Sequence, residues 1–171
     1  MMFTADNLPQ HIEKDELINL VPHKGKMFLL SRVISHDTVS HFIETEYDVT
    51  EDCIFYDKEA GGVPSFAGFE IMAQGISALS SLERIANKVT EPPKPGVVLS
   101  ISSFESDTAV FKSGTTLRMK VQEEYRGDGI FKYDCSLFTG EVFDKPSVTV
   151  CITVMEMNNM ELFFKEGQKN G

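Results

Sequence analysis

The chain has 171 residues, which suits one domain with a sizeable core and is too short for two comfortable ones. Its composition, 42% hydrophobic and 25% charged, is ordinary for a globular protein. The formal net charge of −10 argues against nucleic acid as a partner, because phosphate backbones repel an acidic surface. The same charge argues against adsorption to an anionic membrane.

The N-terminal stretch has no basic start followed by an apolar run, so it does not match a signal peptide. No stretch approaches the roughly 18 apolar residues that span a bilayer. The three cysteines, Cys53, Cys135 and Cys151, are widely spaced and form no Cys-x-x-Cys pair, which favours free thiols. We therefore expect a cytoplasmic protein outside the membrane.

The first third of the chain predicts strands. Residues 12–20 favour a short helix, and strands are expected at 27–35 and 40–48, where apolar and polar residues alternate. An irregular stretch rich in Asp, Glu and Gly follows at 49–63.

A long helix is predicted over residues 66–86. This segment lacks proline, and its apolar residues recur at helical spacing around most of the girth, which indicates a buried helix. Ser65, after Pro64, is the predicted N-cap. The helix carries one polar stripe, whose members are Glu70, Gln74, Ser77, Ser81 and Arg84.

Beyond the Pro-rich segment 92–96 the alternation has period two, and four strands are predicted there. Their centres are 97–102, 117–122, 131–137 and 148–154. The residues from Arg126 to Gly129 predict a hairpin turn. One sheet must then cover the apolar girth of one helix, and a curved antiparallel sheet wrapped around the helix does so.

This arrangement is the hot-dog fold, of the α+β class, in a single domain over residues 1–171. We expect its core at about 20–157 and a C-terminal tail at 158–171. The open edge of such a sheet suits dimerisation through a continuous sheet.

Three segments carry a resemblance to a known family. Residues 21–33 open with Val-Pro-His-Lys and end in Ser-Arg-Val, and residues 63–74 read Val-Pro-Ser-Phe-Ala-Gly-Phe-Glu-Ile-Met-Ala-Gln. These resemble the β-hydroxyacyl-(acyl carrier protein) dehydratases, which have a Pro-His-Arg/Lys turn and, after Pro-Gly and four apolar residues, Glu-Ala-Met/Leu-Ala-Gln. Residues 111–117 are similar to that family's Pro-Gly-Asp-x-Leu turn. The Gly-Gly-Val-Pro lead-in is similar to the predicted dehydratases of aryl-polyene-type pigment clusters.

The sequence departs from the family at two functional positions. The resemblance implies a catalytic histidine fourteen residues before the helix glutamate, and that position is Tyr56 here. It also implies a glycine at the helix start, whose neighbouring N–H groups point at the thioester oxygen, and that position is Ser65.

Dehydration of a 3-hydroxyacyl thioester needs a base for the α-proton, an acid for the departing hydroxyl, and N–H donors for the enolate oxygen. Glu70 is expected to be the acid, since a carboxyl on a buried helix is favoured in its protonated form, and to line an apolar tunnel at a dimer interface. The alternative is that Glu70 begins a solvated stripe. Tyr56 is the second catalytic candidate, although a phenol is protonated near neutral pH and is therefore a hydrogen-bond donor rather than a base.

Four residues are expected at the substrate: Ser65, Phe66, Gln74 and His23. Gln74 either orients Glu70 or only packs. His23 is a possible substitute base, or a turn histidine that satisfies backbone groups.

The remaining reactive side chains are not expected in the site. His36 and His41 are expected at the surface, and Cys53 in the interior as a small residue. No His, Cys and carboxylate set has the spacing of metal ligands, so neither a metal nor a cofactor is expected.

Three functions stay open. In the first, the chain is a 3-hydroxyacyl-(acyl carrier protein) dehydratase-like lyase of fatty acid or polyketide biosynthesis, with Glu70 as acid and without the family histidine. In the second, it is a non-catalytic or half-site subunit that pairs with an active hot-dog dehydratase, because the resemblance implies a site between two chains. The third possibility is a hot-dog acyl thioesterase.

The expected partners follow from these functions. The substrate is an acyl thioester on acyl carrier protein or coenzyme A, and the assembly is a homodimer or a heterodimer with another hot-dog chain. An acidic carrier would dock on a basic patch, for which Lys24, Lys26 and Arg32 are candidates; otherwise these residues line a solvated turn.

Overall fold

The computed structural model describes residues 3–140 and 144–157, so the predicted tail at 158–171 lies outside the described residues. The described part contains a short helix α1, a long helix α2 and nine strands. The elements in chain order are β1 Ile12–Glu13, α1 Lys14–Leu17, β2 Arg32–Asp37, β3 Phe42–Asp48, β4 Gly62–Pro64, α2 Gly68–Ala86, β5 Gly96–Ser106, β6 Val110–Lys112, β7 Thr116–Gly127, β8 Ile130–Phe138 and β9 Val148–Glu156. No helix in this part of the chain is long and apolar enough to cross a membrane.

Seven of the strands form one antiparallel sheet in the order β1-β2-β3-β7-β8-β9-β5, and β4 pairs with β6 separately. The predicted order of two strands, one long helix and four strands is confirmed, and so is the α+β hot-dog fold. The sequence missed β1, β4 and β6, because strands of two or three residues are too short to show alternation.

Turn and bulge geometry joins and bends this sheet. At the predicted hairpin between β7 and β8, Asp128 and Gly129 both have positive φ, 54° and 73°, as a two-residue hairpin turn of the right twist requires. Register shifts interrupt the pairing of β2 with β3, β7 with β8 and β5 with β9. Such irregularities bend strands and let a sheet curve around a helix.

Helix α2 packs on the sheet through its apolar side and contacts β3, β7, β8 and β9. Ile71, Met72 and Leu82 are fully buried. Gly75 faces β3 and β7, and a Cβ there would lie 3.6 Å from side-chain atoms of both strands, which is ordinary van der Waals contact. The core also includes Ile12 and Leu17, which lie N-terminal to the core range that the sequence predicts. All three cysteines are free and buried. Further side chains in the core are Leu29, Leu30, Val33, Ile43, Leu79, Leu117 and Met119.

The start of α2 differs from the prediction. Residues Ser65–Ala67 form a 3-10 turn, α2 begins at Gly68, and no side chain caps it. The Ser65 N–H donates to the Ala109 carbonyl (2.9 Å), which continues the pairing of β4 with β6. The prediction of Ser65 as N-cap is therefore wrong, because the chain at Ser65 is still held by the strand pair.

One edge of the sheet is exposed. All eleven residues of β5 are exposed, although the strand pairs with β9 along one side. They include large apolar side chains, of which Leu99 is 48% and Ile101 40% exposed. A long apolar edge strand of this kind is typical of a surface that another chain covers.

Candidate active site

The polar stripe of α2 lies against the segment that precedes β2. Gln74 is fully buried, and Ser81 donates to the carbonyl of Leu20 at 2.6 Å. Backbone groups of a loop segment need partners when they are covered, and the stripe supplies them. The alternative reading of a solvated stripe is therefore wrong for these two residues.

Gln74 holds the Glu70 carboxyl group in a defined orientation. Its Oε1 accepts a hydrogen bond from the Leu29 N–H (2.8 Å), and its Nε2 donates to the Met27 carbonyl (2.7 Å) and to Glu70 Oε1 (3.1 Å). Because the two backbone groups cannot exchange their roles of donor and acceptor, the amide has one possible orientation. Gln74 must therefore present an N–H to Glu70.

This contact distinguishes the two oxygens of Glu70. Oε1 accepts from Gln74 and lies 3.4 Å from His23 Nε2, whereas no donor among the described residues contacts Oε2. The side chain of Glu70 is 21% exposed. When the carboxyl group is protonated, its proton consequently belongs on Oε2, the oxygen that is free to meet a ligand.

His23 is the third residue of this group. Its side chain is 30% exposed, and its ring nitrogen Nδ1 is buried without a hydrogen-bond partner among the described residues. The structure thus brings together three of the predicted site residues, Glu70 and Gln74 from adjacent turns of α2 and His23 from a distant part of the sequence.

The other three predicted residues are not joined to this group. Tyr56 is partly buried and packs against the core, and its backbone N–H donates to the Cys53 carbonyl at 2.9 Å. In the described part of the chain no hydrogen bond links its phenol to Glu70. Ser65 is buried at the turn before α2, and Phe66 is 61% exposed. Their part in the site stays a prediction.

An open cleft on the protein does not contain Glu70. It has a volume of about 570 Å³, and its lining includes Phe28, Tyr47 and Cys53 but neither Glu70 nor Tyr56. Burial raises the pKa of the Tyr47 phenol above its ordinary range, and charged side chains, among them Lys26 and Arg32, line other parts of the cleft.

Two of the three cations proposed for carrier docking have internal partners. The Lys24 ammonium donates to the carbonyls of Ile18 and Val21. The Arg32 guanidinium binds Glu46 (2.6 Å) and Asp48, and its hydrogen bond holds the pKa of the Asp48 carboxyl below its ordinary value. Lys26, the third member of the patch, has no such bond to any of the described residues.

A second polar cluster lies at the other end of α2. The His41 ring (Nδ1) contacts Glu83 Oε1 at 2.7 Å, and Arg126 binds Glu83 (2.7 Å) and Glu123 (2.8 Å). His41, Glu83 and Glu123 bring possible metal-ligand atoms within 4.8 Å of one another. The guanidinium of Arg126 already supplies positive charge to both carboxylates, which accounts for the cluster as a structural ion-pair network.

The sequence did not reveal this cluster, because its members come from a strand-connecting turn, a helix and a strand. The expectation of a surface position is wrong for His36, which is buried with its Nε2 3.0 Å from the Pro9 carbonyl. His41 lies in the turn before β3, and its side chain is 35% exposed.

Comparisons with known proteins include a family model that covers most of the chain. The model of the ApeP-like family, described as ApeP dehydratase, matches residues 16–165. A curated relative is the 3-hydroxyacyl-(acyl carrier protein) dehydratase FabZ of Protochlamydia amoebophila (strain UWE25). It is 25% identical over 142 residues, which is 72% of this chain and 92% of that protein.

Solved structures share the fold. The dehydratase heterocomplex ApeI:P from Xenorhabdus doucetiae contains a chain that matches with a TM-score of 0.74 at 20% identity, over 86% of this chain and 94% of that one. The PaaI protein of the phenylacetic acid degradation operon of E. coli matches with a TM-score of 0.53 at 14% identity, over 74% and 79%. A mutant thioesterase, PA1618 of Pseudomonas aeruginosa, matches with 0.54 at 14%, over 72% and 78%. Since the family model spans nearly all of the described residues, the chain belongs to the ApeP-like dehydratase family.

Proposed function

We propose that the chain is a 3-hydroxyacyl-thioester dehydratase subunit that supplies Glu70 as the general acid of a site completed by a second hot-dog chain. The observation that carries this proposal is the hydrogen bond from Gln74 to Glu70 Oε1, which leaves Oε2 free. A carboxyl group with one oxygen fixed by a hydrogen bond and the other free to carry the proton is oriented as proton transfer requires.

The reaction assigns each group a role. A base removes the proton from the carbon α to the thioester carbonyl, and the electron pair forms the double bond to the β-carbon. The bond from the β-carbon to its hydroxyl breaks, and the proton on Glu70 Oε2 goes to that hydroxyl, which leaves as water. Because the Ser65 N–H is bonded to Ala109, the backbone N–H groups of Phe66 and Ala67 in the same turn would stabilise the charge that develops on the thioester oxygen.

The second chain is proposed on two grounds. Tyr56 stands where the family's histidine is expected, and a protonated phenol donates a hydrogen bond but is a poor base. The exposed apolar strand β5 offers an edge on which another sheet can continue. The solved dehydratase ApeI:P is a heterocomplex, so we favour a different hot-dog chain as the partner over a second copy.

The substrate is proposed to be an acyl thioester on acyl carrier protein, as the name of the FabZ relative indicates for that protein. A coenzyme A thioester has the same reacting group. The thioesterase alternative is not adopted, because the thioesterase neighbour at 14% identity shows only the fold, whereas the matching family model describes a dehydratase.

The test is turnover of a 3-hydroxyacyl thioester to its enoyl product, with the partner chain present. Glu70→Gln should lower kcat by about 100-fold or more, the range expected for loss of a general acid. Ser77→Ala, about two turns further along the same helix and without a side-chain hydrogen bond to any described residue, should leave kcat unchanged. Undiminished turnover by Glu70→Gln contradicts the proposal, and release of free thiol instead of enoyl product would identify a thioesterase.

A further inference from the structure

We infer that His23 is a positioning residue that donates its Nε2–H toward Glu70, and that it does not replace the base that the chain lacks. The inference rests on the proposed function of Glu70 and concerns the same site. It follows from the unequal surroundings of the two nitrogens of the His23 ring.

Nε2 lies 3.4 Å from Glu70 Oε1, and that oxygen already accepts an N–H from Gln74. An oxygen in this role offers lone pairs, so a proton on Nε2 meets an acceptor, whereas a lone pair on Nε2 would meet another lone pair. The neutral ring therefore carries its proton on Nε2. The other tautomer would both lose this contact and leave a buried N–H at Nδ1 without an acceptor.

This tautomer leaves the ring one lone pair, on Nδ1. That atom is enclosed in the protein and contacts no described hydrogen-bonding group. A general base must come within hydrogen-bond reach of the proton that it removes. The lone pair of His23 is therefore in the wrong place to act on a substrate that reaches Glu70 from the open side.

The donors of His23 and Gln74 instead converge on one carboxylate oxygen. A distance of 3.4 Å is long for a hydrogen bond, and contacts of this kind tighten when a ligand fills the site. Once the His23 contact shortens to hydrogen-bond distance, two donors on Oε1 would fix the rotation of the carboxyl group and keep its proton on Oε2. With Tyr56 and His23 both unsuited as bases, the base must be a side chain of the second chain, and an imidazole suits the task near neutral pH.

The first experiment needs no activity. In the full-length protein, long-range proton–nitrogen NMR of the His23 ring, assigned by its loss in His23→Gln, should show the neutral ring protonated at Nε2. Protonation at Nδ1 with a free lone pair on Nε2 would overturn the inference, and this result is independent of the proposed function.

The second experiment compares two substitutions in the presence of the partner chain. His23→Gln keeps an N–H donor at the reach of Nε2, so kcat should stay within about 5-fold of the wild type. His23→Ala removes the donor and should lower kcat by about 10-fold or more with KM little changed, as expected when an orienting contact is lost. A base would instead make both variants lose about 100-fold or more, and this result would overturn the inference while the effect of Glu70→Gln still upholds the proposed function.

Discussion

Substitution of Gln74 by methionine removes the hydrogen bonds that join α2 to the segment before β2. Methionine has a similar volume and fills the same space, so the packing loss is small. The change leaves the Leu29 N–H, which belongs to a residue only 1% exposed, and the Met27 carbonyl without partners. A buried group left unpaired costs about 1–3 kcal/mol. Because Met27 is 39% exposed and its carbonyl can find water, only the Leu29 N–H is left unpaired, and we expect a loss of about 1–3 kcal/mol in the free energy of unfolding.

Urea denaturation followed by circular dichroism measures this loss, and the m-value shows whether unfolding stays two-state. The matched control is Ser77→Ala on the same stripe, which should change the free energy of unfolding by less than about 0.5 kcal/mol. A loss for Gln74→Met no larger than that of the control would refute the assignment of Gln74 as the residue that joins the helix to this segment.

Further predictions concern the strand pair, an ion pair and the exposed edge. Gly62→Ala should destabilise the fold by about 1–3 kcal/mol or more in thermal unfolding, because its Cβ would lie 2.2 Å from a backbone oxygen of β6; Gly75→Ala, where the contacts are ordinary, should be neutral or gain up to about 1 kcal/mol. Arg32 lowers the pKa of the Asp48 carboxyl below its ordinary value of 3.8. The ion pair therefore stabilises the fold fully at pH values above 3.8, and this stabilisation is lost as the pH falls through the lowered pKa. Asp48→Asn should therefore cost up to about 1 kcal/mol at pH 7, and a cost that grows toward acid pH would contradict this. Leu99→Lys on β5 should lower the mass of the assembly in sedimentation toward 19.1 kDa, the mass of one chain. The unfolding temperature of the monomeric chain should not change. An unchanged mass would exclude β5 as the interface.

The sequence predicted the fold because each large element has its own local signal. The alternation in β7, β8 and β9 and the helical spacing from Ile71 to Leu82 are visible without knowledge of tertiary contacts. The start of α2 was placed two residues too early, since the bond from Ser65 to Ala109 depends on a strand pair of three residues that leaves no periodic trace.

The candidate site rests on a resemblance together with tertiary contacts. The resemblance pointed to Glu70 and Gln74, but only the structure shows that Gln74 is fixed by the backbone of Met27 and Leu29, residues more than forty positions away. The same holds for His23, whose role depends on which ring nitrogen meets Glu70. Whether Tyr56 faces the substrate depends on a second chain, and no local pattern in one chain specifies that.

The central claim is that this chain carries the acid and another chain carries the base. The most direct test uses a partner hot-dog chain that has a histidine at the position equivalent to Tyr56 and whose own helix glutamate is replaced by Gln. This partner is mixed either with the wild-type chain or with its Glu70→Gln variant, and formation of the enoyl thioester is measured. We expect neither chain alone to turn over a 3-hydroxyacyl thioester, the mixture with the wild-type chain to do so, and the mixture with Glu70→Gln to be at least about 100-fold slower. Full turnover by this chain alone, or equal turnover by both mixtures, would contradict the account.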